Sequence, residues 1–149
     1  MLVPTKILVP TDFSEYSDKA LRQAFDIAKQ YKAKVYVLHV IHKKMSDRFD
    51  DYGLSYPSYV EDMETQMIDG AAKQLQKQID KFPRTKELEV FSDVVIGNIS
   101  EAILEEETNK GIDLIVIASL GQSGIAKYLV GSVARNVLKG AKCPVLLTK

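Results

Sequence analysis

The chain has 149 residues, 46% of them hydrophobic, which is the size of one ordinary domain that can bury a proper core. Its 20 basic and 20 acidic residues cancel, leaving no electrostatic footprint for a nucleic acid or an anionic membrane. A single cysteine, Cys143, excludes an internal disulfide and a cysteine metal cluster and fits a reducing, cytoplasmic setting.

The N-terminal stretch MLVPTKILVPTDFS lacks the basic region, long apolar run and small-residue cleavage site of a signal peptide. No apolar run reaches membrane length. One domain over residues 1–149 is expected. Lys6 followed by Ile-Leu-Val-Pro10 reads as a first strand buried on both faces. Ser14 is placed to cap a helix whose apolar positions, Ala20, Leu21, Ala24, Ile27, Ala28 and Tyr31, follow a 3.6-residue period. A second strand is expected over Lys34 to Ile41. From His42 to Ser58 charges, Gly53, Pro57 and tyrosines mix without a period, the pattern of a long loop. Val60, Met63, Met67, Ala71, Leu75 and Ile79 mark the next amphipathic helix, with Met63 and Met67 in its core, and a third strand follows around Leu88 to Ile96. Gly97 ends it. A helix from about Ser100 to Asn109 closes on Gly111 as a left-handed cap, ahead of a fourth strand, Asp113 to Ala118. The last helix covers about Ser132 to Lys139 and closes on Gly140; Cys143 to Leu147 supplies the fifth strand.

Strands alternating with helices over short connections imply an α/β fold, a doubly wound five-stranded parallel sheet with helices on both faces. Ligands of such sheets sit beyond the carboxyl ends of the strands, where the strand order reverses. Two groups of residues fall there. After the fourth strand comes Ala118-Ser-Leu-Gly121-Gln-Ser123-Gly124, and then Gly131-Ser132-Val133 opens a helix. Glycines let backbone N–H groups approach a ligand, and a helix N-terminus offers unpaired donors, so the pair can cradle a polyphosphate; the same glycines can equally serve a tight turn. The segment is neither a Walker loop nor the dinucleotide fingerprint. Asp12, just past the first strand, can accept from ribose hydroxyls or an adenine amino group, or cap the helix. If the first and fourth strands are neighbours, both groups converge on one crevice.

Ile7-Leu-Val-Pro-Thr-Asp-Phe-Ser14, Asp113-Leu-Ile-Val-Ile-Ala-Ser119, Gly131-Ser-Val133 and Cys143-Pro-Val-Leu-Leu147 together resemble the opening and closing segments of the universal stress protein family. The resemblance implies ATP binding, with Mg accompanying it on protein ligands it does not specify. It puts Pro10, Thr11 and Asp12 against the adenosine, the Val40 backbone on the adenine, and Ser123 and Val133 near the phosphates. The family's glycine pattern fits in two registers, one from Gly121 and Gly124, the other from Ala118 through Gly121, Gly131 and Ser132. The second keeps the distance from the fourth strand and puts Ala118 where the family's first glycine stands and Leu120 where a polar or basic residue is frequent. A methyl group at Ala118 is expected to weaken binding modestly, by crowding or by disfavouring a glycine-only conformation. The resemblance further implies a homodimer paired through the edge strand from Val145 to Leu147.

The function expected from these readings is a nucleotide-responsive stress module. The alternatives are a nucleotide-free dimeric interaction module of the same family and a slow ATPase with at most weak hydrolysis. No catalytic residue and no metal ligand is assigned. His39 and His42 have no companions at metal spacing, Cys143 has no motif partner, and the stretch from Asp47 to Tyr59 carries no assigned chemistry. A phosphoreceiver domain would need an aspartate where Gly97-Asn98 stands.

Overall fold

The structure, a computed structural model, describes residues 2–43, 57–83, 88–121 and 130–149, with the backbone alone for 57–60. In chain order the elements are β1 (Lys6–Pro10), α1 (Glu15–Tyr31), β2 (Lys34–His42), α2 (Pro57–Asp80), β3 (Val90–Gly97), α3 (Ile99–Lys110), β4 (Leu114–Ala118), α4 (Ser132–Gly140) and β5 (Val145–Thr148). The strands form one parallel sheet in the order β3-β2-β1-β4-β5. This is the doubly wound α/β architecture expected from the alternation of elements.

Successive strand residues point to opposite faces, and both faces are apolar. Ile7, Val9, Val35, Val37, Leu114 and Val116 meet Leu21, Ala24 and Phe25 of α1 and Leu75 and Ile79 of α2. On the other face Leu8, Leu38, Val40, Ile115 and Ile117 meet Ile103 of α3 and Ala134 and Val137 of α4. Ile7, Leu8 and Ile115 have no exposed surface at all, and each such side chain stabilises the fold by roughly 1.5–3 kcal/mol. The side-chain oxygen of Ser14 accepts from Ser17 N–H and starts α1. Asn98 does the same for α3 through Glu101 N–H, and Gly111 ends that helix at φ 64°. The residue after β3 is therefore a helix cap.

Several expectations shift by a residue or more. Tyr31 follows the α1 period but is 42% exposed, because it closes the helix just before the left-handed Lys32 turns the chain away. Met63 and Met67 are only half-buried, whereas Leu75, Gln78 and Ile79 are buried; the C-terminal turns of α2 carry its contact with the sheet. Of the loop expected from His42 to Ser58, His42 instead ends β2 and Pro57 and Ser58 open α2, and residues 44–56 lie outside the described residues. Gly140 belongs to α4 and is not a left-handed cap. Its small size has another use, since a Cβ there would meet Leu104 Cδ1 at 2.5 Å.

β5 begins at Val145, two residues later than expected. Glu107, buried in α3, explains the delay: its Oε1 accepts from both Lys142 N–H at 2.7 Å and Cys143 N–H at 2.9 Å. Those donors are spent on α3, and pairing with β4 starts at Pro144, whose carbonyl accepts from Ile115 N–H at 3.0 Å. Burial first, and then the Glu107 carboxylate as hydrogen-bond acceptor and as negative charge, push the Cys143 thiol up to about 12.

Two outcomes follow from Glu107. Glu107→Ala strands two N–H groups and is expected to cost about 1–3 kcal/mol in urea unfolding, while Glu107→Gln, which keeps an acceptor oxygen, costs less. The Cys143 thiol is ionised less readily in the folded chain than in the unfolded one, whose ordinary value is about 8.5. Its contribution to stability is complete below that pH and is lost as pH rises through about 12. At pH 8.5, alkylation of Cys143 should be at least about tenfold slower in the native protein than in urea, as followed by mass spectrometry.

Candidate functional site

β1 sits at the centre of the sheet with β2 on one side and β4 on the other, so the strand order reverses there. Its pairing with β2 continues through Pro10↔Leu38, but its pairing with β4 stops at Leu8↔Ile115. Thr11 N–H donates to Leu38 O at 2.9 Å; by alternation, the backbone nitrogen of Pro10 faces β4. Proline has no N–H to give it. The two strands part, and a crevice of about 230 Å³ opens between them, bounded by Pro10 to Asp12, Leu38, Val40, Ile99, Ile103, Ile117 to Gly121 and Gly131 to Ala134.

The β1–α1 turn forms one wall. Asp12 Oδ1 accepts from Ser14 N–H at 3.0 Å, so the carboxylate is anchored by the backbone ahead of the helix while Ser14 does the capping. The turn is held from beneath by a buried polar cluster. The Thr11 hydroxyl lies 2.7 Å from Gln78 Oε1 and 2.9 Å from Ser17 Oγ, and it accepts from Phe13 N–H. Gln78 Nε2 in turn donates to Asp18 Oδ1 at 2.8 Å and to Ser17 Oγ. Gln78 is 3% exposed, a burial that an amide tolerates only with its hydrogen bonds made. The last turns of α2 thus reach the crevice floor through one side chain.

The opposite wall is the segment after β4 and the start of α4. Ser119 N–H donates to Thr148 O at 2.8 Å, and Ser119 O accepts from Gly131 N–H at 2.7 Å, tying β5, the β4 exit and α4 together. Gly121 comes so near the first wall that a Cβ would lie 2.5 Å from Asp12 Oδ2; this position needs glycine for close approach. No side chain caps α4. Its first-turn N–H groups, at Ser132, Val133 and Ala134, have no partner within a helix and carry its partial positive charge.

Of the residues singled out in the sequence, Pro10, Thr11, Asp12, Val40, Ala118, Gly121, Gly131, Ser132 and Val133 all border this crevice. Ser123 lies outside the described residues, as does Gly124. The Gly131 N–H is bonded to Ser119 O, so it is not among the open donors at the start of α4. Ala118 ends β4 in register with Thr148, and it is not among the described residues at positive φ, so its backbone is open to any residue. Its side chain packs toward the α1 face. The apolar lining from Leu38, Ile99, Ile103 and Ile117 was not singled out, because nothing in the sequence around these residues separates them from ordinary core; only strand order shows that they flank a gap. Among the described residues no group of three His, Cys, Asp or Glu side chains could hold a metal. The arrangement suits a flat, largely apolar body with polar edges near Asp12 and an anionic end toward α4.

Comparison with known proteins agrees with this fold. The universal stress protein family model matches residues 4–149. Universal stress protein MJ0531 of Methanocaldococcus jannaschii is 31% identical over 97% of this chain and 81% of its own length. The solved structure of protein MJ0577 from the same organism superposes with a TM-score of 0.77 at 26% identity, over 99% of this chain and 97% of that one. A universal stress protein solved in complex with cAMP superposes at 0.61 with 24% identity, over 99% and 98%. The chain belongs to the universal stress protein family.

Proposed function

We propose that the crevice takes an adenine nucleotide, with ATP as the ligand, and that occupancy is what the protein reports to its partners as a regulatory stress module. One observation carries this reading. A fixed carboxylate, Asp12, and an uncapped helix N-terminus, α4, border the same apolar slot, an order that matches sugar, base and phosphate. The family member that holds cAMP supports an adenine ligand.

Val40 strengthens the base end. Leu38 O faces β1, so the peptide groups of Val40, two residues on, face the same side beyond the last β1 pairing. They are thereby placed to meet the edge of a base. Pro10, Thr11 and Asp12 would line the adenosine, and Ser132 and Val133 the phosphates, with Ala118, Gly121, Gly131 and Ser123 completing the site. At about 230 Å³, below the roughly 300–1,000 Å³ of typical small-molecule sites, the crevice itself suits the nucleoside, and the phosphates would extend past α4. Mg would then be carried by the triphosphate. Asp12 Oδ1 is engaged with Ser14 N–H, so the carboxylate serves as a fixed acceptor, and hydrolysis is at most slow. Because Ala118 has no positive φ and its methyl packs toward α1, the nucleotide-free alternative rests on Leu120, which borders the crevice. We place the protein in the cytoplasm as a homodimer paired along β5, an edge strand whose Leu146 is 38% exposed.

Calorimetric titration with ATP and magnesium should show saturable binding, with GTP at least tenfold weaker. Asp12→Asn, which keeps the oxygen that Ser14 needs, is expected to weaken ATP about tenfold or more, the loss of a charge-assisted hydrogen bond; Ala118→Gly should change affinity by less than about threefold. Absence of any heat at high micromolar ATP would sink the reading. Sedimentation should give a dimer that Leu146→Lys weakens, since a charge on an edge strand opposes pairing.

A further inference from the structure

Phe13 is the one bulky apolar side chain among the described residues at positive φ, 67°, a conformation that L residues other than Asn and Asp rarely adopt. Such strain persists only where its surroundings over-determine it; Phe13 packs against the core on the α1 side of the sheet, and one further side chain holds both its ring and the turn before it. His39, on β2, stacks on the Phe13 ring with centroids 4.1 Å apart and planes at 25°. Its Nδ1 lies 2.8 Å from Thr11 O; a carbonyl only accepts, so Nδ1 carries the proton and donates. His39 therefore grips the residue before Asp12 by a hydrogen bond and the residue after it by a ring contact. It does not itself border the crevice.

We infer that His39 is a positioning residue: it holds the Thr11–Phe13 turn in its strained form and so aims the Asp12 carboxylate at the ligand and against Gly121. This rests on the proposed adenine-nucleotide site for its functional consequence. β2 then builds the site twice, with Val40 in the apolar wall and His39 steering the polar one. Thr11 Oγ1, which accepts from Phe13 N–H at 3.1 Å, supports the turn from within. Without His39 the Phe13 backbone would relax to an ordinary region and carry Asp12 away from Gly121.

The test uses the full chain and ATP with magnesium. His39→Ala should weaken ATP about tenfold. His39→Phe, which keeps the ring, and His39→Asn, which keeps a donor near the Nδ1 position, should each recover part of that loss. In an Asp12→Asn background His39→Ala should cost less than about twofold, because a residue acting through Asp12 has little left to act on; a merely structural role would give the full tenfold again and overturn the inference. Unchanged affinity of His39→Ala in the parent chain would also overturn it. Amide hydrogen exchange on the ligand-free proteins supplies an arm independent of nucleotide. His39→Ala should speed exchange at Phe13 and Ser14 about tenfold or more while leaving the β1 and β4 amides unchanged, and equal rates at Phe13 and Ser14 would refute the inference even if the parent chain bound no ATP.

Discussion

The site depends on a missing hydrogen-bond donor. A central parallel strand ordinarily shares its backbone with both neighbours, and β1 does so until Leu8. Beyond that point Pro10 presents β4 with a ring in place of an N–H, while Thr11 still bonds to Leu38. Zipping on toward β4 would bury acceptors with no partner, which is costly, so the strands separate on that side alone. The helices on either face then bound the gap, and residues that would have been plain core become the lining of a crevice.

Opening a sheet at its centre gives up packing, and the compensation is visible in how tightly the two lips are held. On one, Thr11, Ser17 and the buried amide of Gln78 form a connected cluster, so the turn carrying Asp12 stands on polar groups that are themselves satisfied. Such clusters strengthen one another in a low-dielectric interior and allow few alternative arrangements. On the other, two hydrogen bonds through Ser119 link β5 to the first residue before α4. An acceptor and a helix end are thus prearranged across an apolar slot, the condition under which little ordering remains to oppose binding.

The fold was legible because each of its signals is local. The run from Ile7 to Val9, the period of Ala20 to Ala28, the cap at Ser14 and the left-handed Gly111 each act within a few residues, and each element came out close to where it was expected. The polar and glycine residues of the site were legible too, since Asp12, Gly121 and Gly131 are conspicuous just past strand ends. What escaped depends on contacts between distant parts of the chain. Nothing near Gln78 says that it will be buried under Thr11, nothing near Glu107 says that it will claim the N–H groups of Lys142 and Cys143, and Ile99 and Ile103 look like any other core face. His39 read as an unaccompanied histidine, and its partners Thr11 and Phe13 become neighbours only when β1 and β2 pair.

Glu107 and Ser119 together give the edge strand a meaning beyond closing the sheet. Glu107 fixes where β5 starts by withholding two donors from the ladder, and Thr148, at its far end, accepts the Ser119 N–H that belongs to the crevice lip. β5 is therefore clamped at one end to α3 and at the other to the turn leading from β4. A partner strand laid along its open edge would sit two hydrogen bonds from the first turn of α4, by way of Thr148 to Ser119 and Ser119 to Gly131. The open edge of β5 and the segment that leads into α4 are then parts of one hydrogen-bonded frame, the arrangement through which a change at the crevice would reach the edge of the sheet.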